Sequence, residues 1–496
     1  MNTTQKTPND PISRSLLQLS SLIQTTVTDF INQRESADLS VDNTKLENDL
    51  GIPSWPVFNA QRTLLAAAGK LIELVSSETP SSRLVEVAFQ YFEARALHVI
   101  VDKRVPDILA RHGGGLSVKD LSREVGIEAG KLSRLMRCLC SNHIFEELEE
   151  DMFANNVIST ALVGNEPLRA YTMLIGLDVY SASDHLPRYL SDSVKGASYD
   201  VNVTPWQDAI GTTKSRWDWL EEKVKVSDLM VPGRNGPGGS TSSYPGCFGQ
   251  TLQETIASAA DKNALVPRPE HALFGLAMLG SGRVYGRAHL FDFPWSELGN
   301  ATVVDVAGGV GSFSMELSRI YPHLKFVIQD REPVLKQGEL EVWPKEHPEG
   351  LRSGRVRFMP HDMFKPNPIK AADVYWLRYI MHDWSDNYCV EILSAIKASM
   401  GPTSRILICD QVMNTTLGSP DLVRAPEPLP ANWGYYTRFS HQRDLVMMSV
   451  IGGVERKPTE FKDIIERAGL KIRKIWDCRS QVGLIEVVLL KSEFLS

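Results

Sequence analysis

VVDVAGGVGSFSMELSRIYPHLKFVIQD, residues 303–330, has the pattern of a strand, a glycine-rich turn, a helix and a second strand. The run from Thr302 to Val306 is apolar and β-branched, as is typical of a buried parallel strand. Glycines in the turn at 307–311 let the backbone bend tightly and approach a ligand closely. Asp330 ends the second strand, where a carboxylate can accept hydrogen bonds from two ribose hydroxyls. The stretch therefore predicts a nucleoside site.

The glycines alone do not choose the cofactor. As a dinucleotide fingerprint the turn would be Gly309-x-Gly311-x-x-Ser314, which lacks the third glycine. This gap, and a cofactor fold that follows the other domain, weaken the interpretation as a nicotinamide dehydrogenase. A tight turn without any ligand is a further alternative, but Asp330 adds a second required element that favours a nucleoside.

Composition excludes several classes of function. The chain has 496 residues, enough for two or three domains, and a formal net charge of −7, which disfavours a nucleic-acid partner. The six cysteines are scattered without disulfide or zinc spacing, so we expect reduced thiols and no metal site. We find no apolar run with the length of a signal peptide core or a membrane span. The sequence predicts a cytoplasmic protein without a membrane partner.

From Thr302 onward, strand and helix patterns alternate, which predicts an α/β fold with a Rossmann-like, doubly wound parallel sheet. The last two strands are close enough in sequence to form an antiparallel hairpin. The strand candidates are 302–306, 325–329, 355–359, 373–378, 405–409, 471–477 and 483–490.

Residues 85–165 have the pattern of a winged helix-turn-helix. Ser117 and Asp120 have the spacing of a capping box, and Gly126 ends the short helix that follows. A second helix and two short strands complete the motif, whose usual association is DNA. However, five acidic residues between 146 and 151 make the wing acidic, and phosphates would repel it. We expect a dimerisation or substrate-lid role.

The sequence divides into four segments. Aromatic residues are frequent in 166–220, as a pocket for a flat apolar substrate requires. Residues 232–249 are rich in Pro, Gly and Ser, and we expect a disordered loop with little to bury. The segments are 1–84, an N-terminal helical extension; 85–165, a winged-helix dimerisation domain; 166–300, a helical substrate-binding region with a flexible insertion at 221–265; and 301–496, the cofactor-binding catalytic domain.

Polar side chains follow the predicted strands, where ligands of such sheets bind. Asp362 could accept a hydrogen bond from an adenine amino group, and Met363 could pack on the ring. His382 precedes a helix at a strand-to-helix junction, where a histidine can act as a general base. Asp410 and Glu455 could orient its imidazole and stabilise the protonated form.

The chain resembles the class I S-adenosylmethionine-dependent O-methyltransferases, specifically the plant caffeic-acid type and its relatives in fungal secondary metabolism. The resemblance covers about residues 85–491 without the insertion. It is carried by DVAGGVGSFS at 305–314, HDMF at 361–364 and LRYIMHDWSD at 377–386.

This resemblance implies a homodimer in which His382 is the base and Asp410 and Glu455 orient it. It implies contacts to S-adenosylmethionine at Gly308, Gly309, Asp330, Asp362, Met363 and Arg378. The implied reaction is methyl transfer to a hydroxyl of an aromatic or polyketide-like small molecule. Two alternatives stay open: relatives that keep the cofactor but catalyse pericyclic reactions, and a winged-helix regulator that senses the cofactor.

Overall fold

A computed structural model describes residues 10–37, 47, 50–230 and 244–491. These residues form two compact units, whose boundaries differ from those of the four predicted segments. The N-terminal extension up to residue 78 belongs with the catalytic sheet, and residues 79–84 and 166–284 belong with the winged helix. The first unit comprises the described residues of 1–78, 285–448 and 453–496, and the second those of 79–284 and 449–452.

The N-terminal extension contributes two helices, Pro11–Ala37 and Trp55–Ser76, to the first unit. Gly69 faces Tyr435 so closely that a Cβ atom at this position would have no room. The buried apolar side chains of the two helices join a core with a later loop, formed by Leu19, Ala66, Ala67, Leu74, Ala425, Leu429 and Trp433. The extension is therefore a layer of the catalytic unit.

The second unit contains the predicted winged helix. Ser117 Oγ accepts a hydrogen bond from Asp120 N at 3.2 Å, which is one half of a capping box. The same hydroxyl donates to Asp120 Oδ2, so the short aspartate binds the serine side chain. Gly126, at φ 72°, ends the first helix. The strands form a sheet in the order β1-β3-β2. The elements are β1 Leu116–Ser117, helices Val118–Val125 and Ala129–Ser141, β2 Phe145–Glu149 and β3 Met152–Asn155.

The rest of the second unit is mainly helical. The predicted insertion contributes an antiparallel pair, β4 Lys223–Lys225 and β5 Leu265–Pro267, and two short helices. Tyr244 and Cys247 are buried, and the Tyr244 hydroxyl donates to Glu270 at 2.6 Å. The expectation of a loop with little to bury is therefore wrong for 244–249, whereas 231–243 lie outside the described residues. The helices are Pro80–Phe89, Tyr91–Asp102, Val105–Arg111, Glu166–Leu174, Tyr180–Ser191, Pro205–Ile210, Arg216–Glu221, Val226–Met230, Gly249–Ser258 and Pro269–Val284.

A seven-stranded sheet forms the centre of the first unit, in the order β11-β12-β10-β9-β6-β7-β8. Strands β6 to β10 run parallel, while β12 is antiparallel to both β10 and β11. The strands are β6 Thr302–Val306, β7 Lys325–Asp330, β8 Val356–Pro360, β9 Val374–Arg378, β10 Arg405–Asp410, β11 Leu470–Trp476 and β12 Gly483–Leu489. The predicted α/β class and the terminal hairpin are both confirmed.

Side chains alternate between two apolar cores, one on each face of this sheet. Val303 lies in one core and Val304 in the other, as the two-residue period of a strand requires. The remaining helices are Ser312–Ile320, Glu332–Gln337, Trp343–Glu346, Pro348–Arg352, Asp386–Lys397, Arg438–Ile451 and Pro458–Arg467. Among the helices that the structure describes, none combines the length and apolar character needed to cross a membrane.

Candidate active site

The glycine turn after β6 holds Asp330 in place. Gly309 N donates a hydrogen bond to Asp330 Oδ2 at 2.8 Å, so the turn and the end of β7 are joined. A Cβ atom on Gly309 would meet nothing within 4 Å, which leaves open space beside the carboxylate. Carboxylate oxygens accept more than one hydrogen bond each, so Asp330 can also bind hydroxyl groups. This arrangement fits the ribose of a nucleoside cofactor.

Ser314 explains the missing third glycine. Its hydroxyl donates to Asp305 Oδ2 at 2.6 Å, and both side chains are buried beneath the turn. Burial raises the pKa of Asp305 to about 6. A Cβ atom on Gly308 would lie 2.5 Å from the carboxyl carbon of Asp305, so glycine is required there. The serine ties the helix to β6 by a hydrogen bond instead of close backbone packing.

The other predicted cofactor residues lie at the carboxyl ends of neighbouring strands. Asp362 follows β8, is exposed, and accepts a hydrogen bond from Phe364 N at 3.0 Å. Met363 is half-buried against the core. Arg378 ends β9, and its buried Nε has no hydrogen-bond partner among the described residues. Because buried polar atoms are normally hydrogen-bonded, this atom is consistent with a polar ligand.

His382 lies in a short 3₁₀ turn, Met381–Asp383, and is buried. Its Nδ1 is 2.8 Å from Glu455 Oε1, and its Nε2 is 3.2 Å from Asp383 Oδ1. Burial alone would lower the pKa of His382, but the carboxylates of Glu455 and Asp383 together raise it to about 9. The structure thus brings His382 and Glu455 together, and adds Asp383, which sequence reasoning did not assign a role.

Asp410 ends β10 beside this pair and is completely buried. Neither of its carboxylate oxygens has a hydrogen-bond partner among the described residues, so it does not orient the imidazole of His382 by a hydrogen bond. Burial raises the pKa of Asp410 to about 7, although the nearby His382 opposes this. Glu455 differs: burial favours its neutral form, but His382 and Arg443 lower its pKa overall.

Arg443, on the Arg438–Ile451 helix, joins the same group and was missed in the sequence. Its guanidinium carbon lies 4.4 Å from the ring centroid of Tyr285 and 4.6 Å from that of Tyr379. Its Nε is 3.5 Å from Glu455 Oε1. The available signal was a charged Arg443-Asp444 pair followed by the apolar run 445–448.

Two family models match the chain, the O-methyltransferase domain at 238–471 and the O-methyltransferase dimerisation domain at 85–165. The chain is 53% identical to O-methyltransferase gedA of Aspergillus terreus, over 95% of this chain and 96% of that protein. It is 51% identical to O-methyltransferase tpcA of Aspergillus fumigatus, over 96% of each chain. The chain belongs to the O-methyltransferase family. This O-methyltransferase uses S-adenosylmethionine as its methyl donor.

Solved structures confirm the fold of the O-methyltransferase. The mitomycin 7-O-methyltransferase MmcR matches with a TM-score of 0.57 and 22% identity, covering 84% of this chain and 99% of that one. A pericyclic reaction enzyme matches with a TM-score of 0.63 and 19% identity, covering 96% of this chain and 99% of that one. At these identities the likeness extends to the fold alone.

In this O-methyltransferase a second arginine, Arg456, fixes the loop around His382. The buried Arg456 donates hydrogen bonds to the carbonyl oxygens of Met381 and Trp384, each at 2.7 Å, and to Asp386 Oδ1 at 2.8 Å. Sequence reasoning singled out its neighbour Glu455 but not Arg456, because these partners lie about 70 positions earlier in the chain. The arginine holds the main chain around the imidazole.

Proposed function

We propose that this S-adenosylmethionine-dependent O-methyltransferase methylates a hydroxyl of an aromatic or polyketide-like small molecule, with His382 as the general base. The contact between His382 Nδ1 and Glu455 Oε1 carries the proposal. Because Nδ1 is committed to the carboxylate, Nε2 is the nitrogen that would take the proton of the acceptor hydroxyl. Asp383, 3.2 Å from Nε2, borders the same position.

The cofactor would be held along the carboxyl edge of the sheet, as in other doubly wound folds. Asp330 would bind the ribose hydroxyls, Asp362 the adenine amino group and Met363 the ring. When bound, S-adenosylmethionine supplies an electrophilic methyl group on a positively charged sulfur. The proposed contact residues are Gly308, Gly309, Asp330, Asp362, Met363 and Arg378.

The pKa of His382 suits a phenolic acceptor. A phenol has a pKa of about 10, so a base with a pKa of about 9 receives its proton at little cost in free energy. Glu455 stabilises the imidazolium that results. At pH 7 only about 1% of such a histidine is neutral, so we expect kcat/KM to rise with pH toward about 9.

We also propose that the protein is a homodimer. The helix Pro80–Phe89 exposes several apolar side chains, with Leu84 74% and Phe89 60% exposed. Exposed apolar patches of this kind mark interaction sites, and the second half of the helix, 85–89, falls within the match to the dimerisation domain. The six cysteines all carry free thiols, which supports the proposal of a cytoplasmic location.

The proposal is tested by transfer of a labelled methyl group from S-adenosylmethionine to a panel of phenols and polyketides. His382→Ala should lower kcat by about 100- to 10,000-fold while the Kd for the cofactor stays near that of the wild type. His441→Ala removes an exposed histidine and serves as the matched control. Turnover that survives in His382→Ala would show that the base is another group. Cofactor binding without transfer to any acceptor would favour the pericyclic alternative, which has only a likeness of fold in its support.

A further inference from the structure

We propose that Arg443 is a positioning residue that sets how readily His382 releases its proton, by neutralising part of the charge of Glu455. This inference rests on the proposed role of His382 as the general base. Its basis is a shared oxygen atom and a guanidinium packed against two aromatic rings.

The shared atom is Glu455 Oε1. His382 Nδ1 lies 2.8 Å from it and Arg443 Nε lies 3.5 Å from it. When His382 is protonated, both it and Arg443 are cations beside the Glu455 carboxylate, so they compete for the same negative charge. Because the side chain of Glu455 is fully buried, water screens this competition little. A permanent charge on Arg443 therefore weakens the hold of Glu455 on the imidazolium.

The position of Arg443 is held by a cluster of aromatic rings. Its guanidinium carbon lies 4.4 and 4.6 Å from the ring centroids of Tyr285 and Tyr379, which themselves meet edge to face at 6.4 Å. The Tyr285 ring stacks on Phe439 at 5.4 Å, and the Tyr379 ring stacks on His382 at 5.7 Å. Cation–π contacts of this geometry favour the charged guanidinium. The arginine side chain is only 11% exposed, so its charge acts on neighbours within the protein.

The carboxylates around His382 favour its protonated form, and the charge of Arg443 opposes the one on Glu455. Three carboxylates face His382 from three elements, and they favour its protonated form: Asp383, Asp410 and Glu455. The further titratable or charged groups around Glu455 and Arg443 are Asp444, Arg456, Tyr285, Tyr379 and Cys409. Removal of the Arg443 charge leaves Glu455 to act more strongly on the imidazolium, so His382 should keep its proton to a higher pH.

The experiment is an NMR titration of protein labelled with ¹³C at histidine Cε1, with the His382 signal assigned from its loss in His382→Ala. In Arg443→Met the pKa of His382 should rise by at least about half a unit, and the acid limb of kcat/KM should move by the same amount. Arg443→Lys keeps the charge and should stay near the wild type. Arg438→Met is the matched control. Arg438 is on the same helix as Arg443 and lies over the ring of Tyr435 at 4.3 Å, but it is exposed.

The two readouts separate this inference from the proposed function. An unchanged pKa of His382 in folded Arg443→Met overturns the role of Arg443. A raised pKa with an unmoved acid limb supports Arg443 but rejects His382 as the base. If Arg443→Met does not fold, Arg443→Gln keeps a hydrogen-bond donor without the charge and must show the same rise, or the inference fails.

Discussion

His382 and Glu455, 73 positions apart in the chain, are joined by a 2.8 Å contact between Nδ1 and Oε1. The residue before Glu455 is also linked to His382, because Val454 N donates to the carbonyl oxygen of His382 at 2.8 Å. Both side chains are buried. The contact thus fixes which imidazole nitrogen faces the carboxylate.

Glu455→Gln keeps the shape of the side chain and removes its charge. Because Glu455 raises the pKa of His382, the substitution should lower that pKa and move the acid limb of kcat/KM from about pH 9 to lower pH. Maximal kcat should fall by up to about 100-fold, since the imidazolium loses its counter-charge. Rate profiles between pH 6 and 10 measure both effects, with the exposed Glu466→Gln as control. An unmoved limb would contradict the assignment.

Asp410→Asn should stabilise the protein increasingly as pH rises. Burial holds the pKa of Asp410 at about 7, above its ordinary 3.8, so the folded state keeps a proton that the unfolded state has lost. Wild-type stability therefore decreases through this group between about pH 4 and pH 7, and asparagine avoids that loss. The gain in Tm should be larger at pH 8 than at pH 5, with the exposed Asp421→Asn as control. An equal gain at both pH values would argue against the prediction.

Gly308→Ala and Gly309→Ala should separate folding from cofactor binding. The added Cβ at 308 would lie 2.5 Å from the buried carboxyl carbon of Asp305, so Tm should fall. At Gly309, φ is +61° and the added Cβ meets open space, so strain should be about 1–2 kcal/mol while the Kd for S-adenosylmethionine rises. Gly354→Ala is the matched control, with φ +70° and open space outside the site. If calorimetric titration gives an unchanged Kd for Gly309→Ala, this glycine does not belong to the cofactor site.

Leu84→Glu combined with Phe89→Glu should convert the proposed dimer to a monomer. The two side chains are 74% and 60% exposed on one helix, and a carboxylate in an apolar interface is costly to bury. Sedimentation velocity measures the change in mass. Leu417→Glu, at a position 85% exposed in the other unit, controls for added charge. A wild-type protein that sediments as a monomer would reject the homodimer itself.

Local patterns made most of the fold predictable. The strands of the central sheet are short apolar runs such as 302–306, and each one was recognised within a residue or two. Helix ends were equally clear where capping residues mark them, as at Ser117 and Gly126. These signals depend on neighbours a few positions apart, which is the range over which sequence patterns carry information.

Contacts between distant residues were not predictable in this way. Arg456 donates hydrogen bonds to the main chain of the His382 loop, and Arg443 packs against the rings of Tyr285 and Tyr379. Both sets of contacts join residues far apart in the chain. The burial of Tyr244 was also missed, because its Pro/Gly/Ser surroundings resemble a solvated loop. An arginine side chain combines an apolar stem with a charged tip, so the sequence pattern alone does not show whether the guanidinium is solvated or buried.

The packing of the N-terminal helices has a consequence for biosynthesis. Ala66 and Ala67 pack beside Leu429 and Trp433, which the ribosome adds about 360 residues later. At about 5–20 residues per second, the two helices wait roughly 20–70 s for these partners. During that interval their apolar faces are open to other nascent chains and to chaperones. A truncation that removes the helices would transfer the same exposure to the finished catalytic unit, where Leu429 and Trp433 would lose their cover.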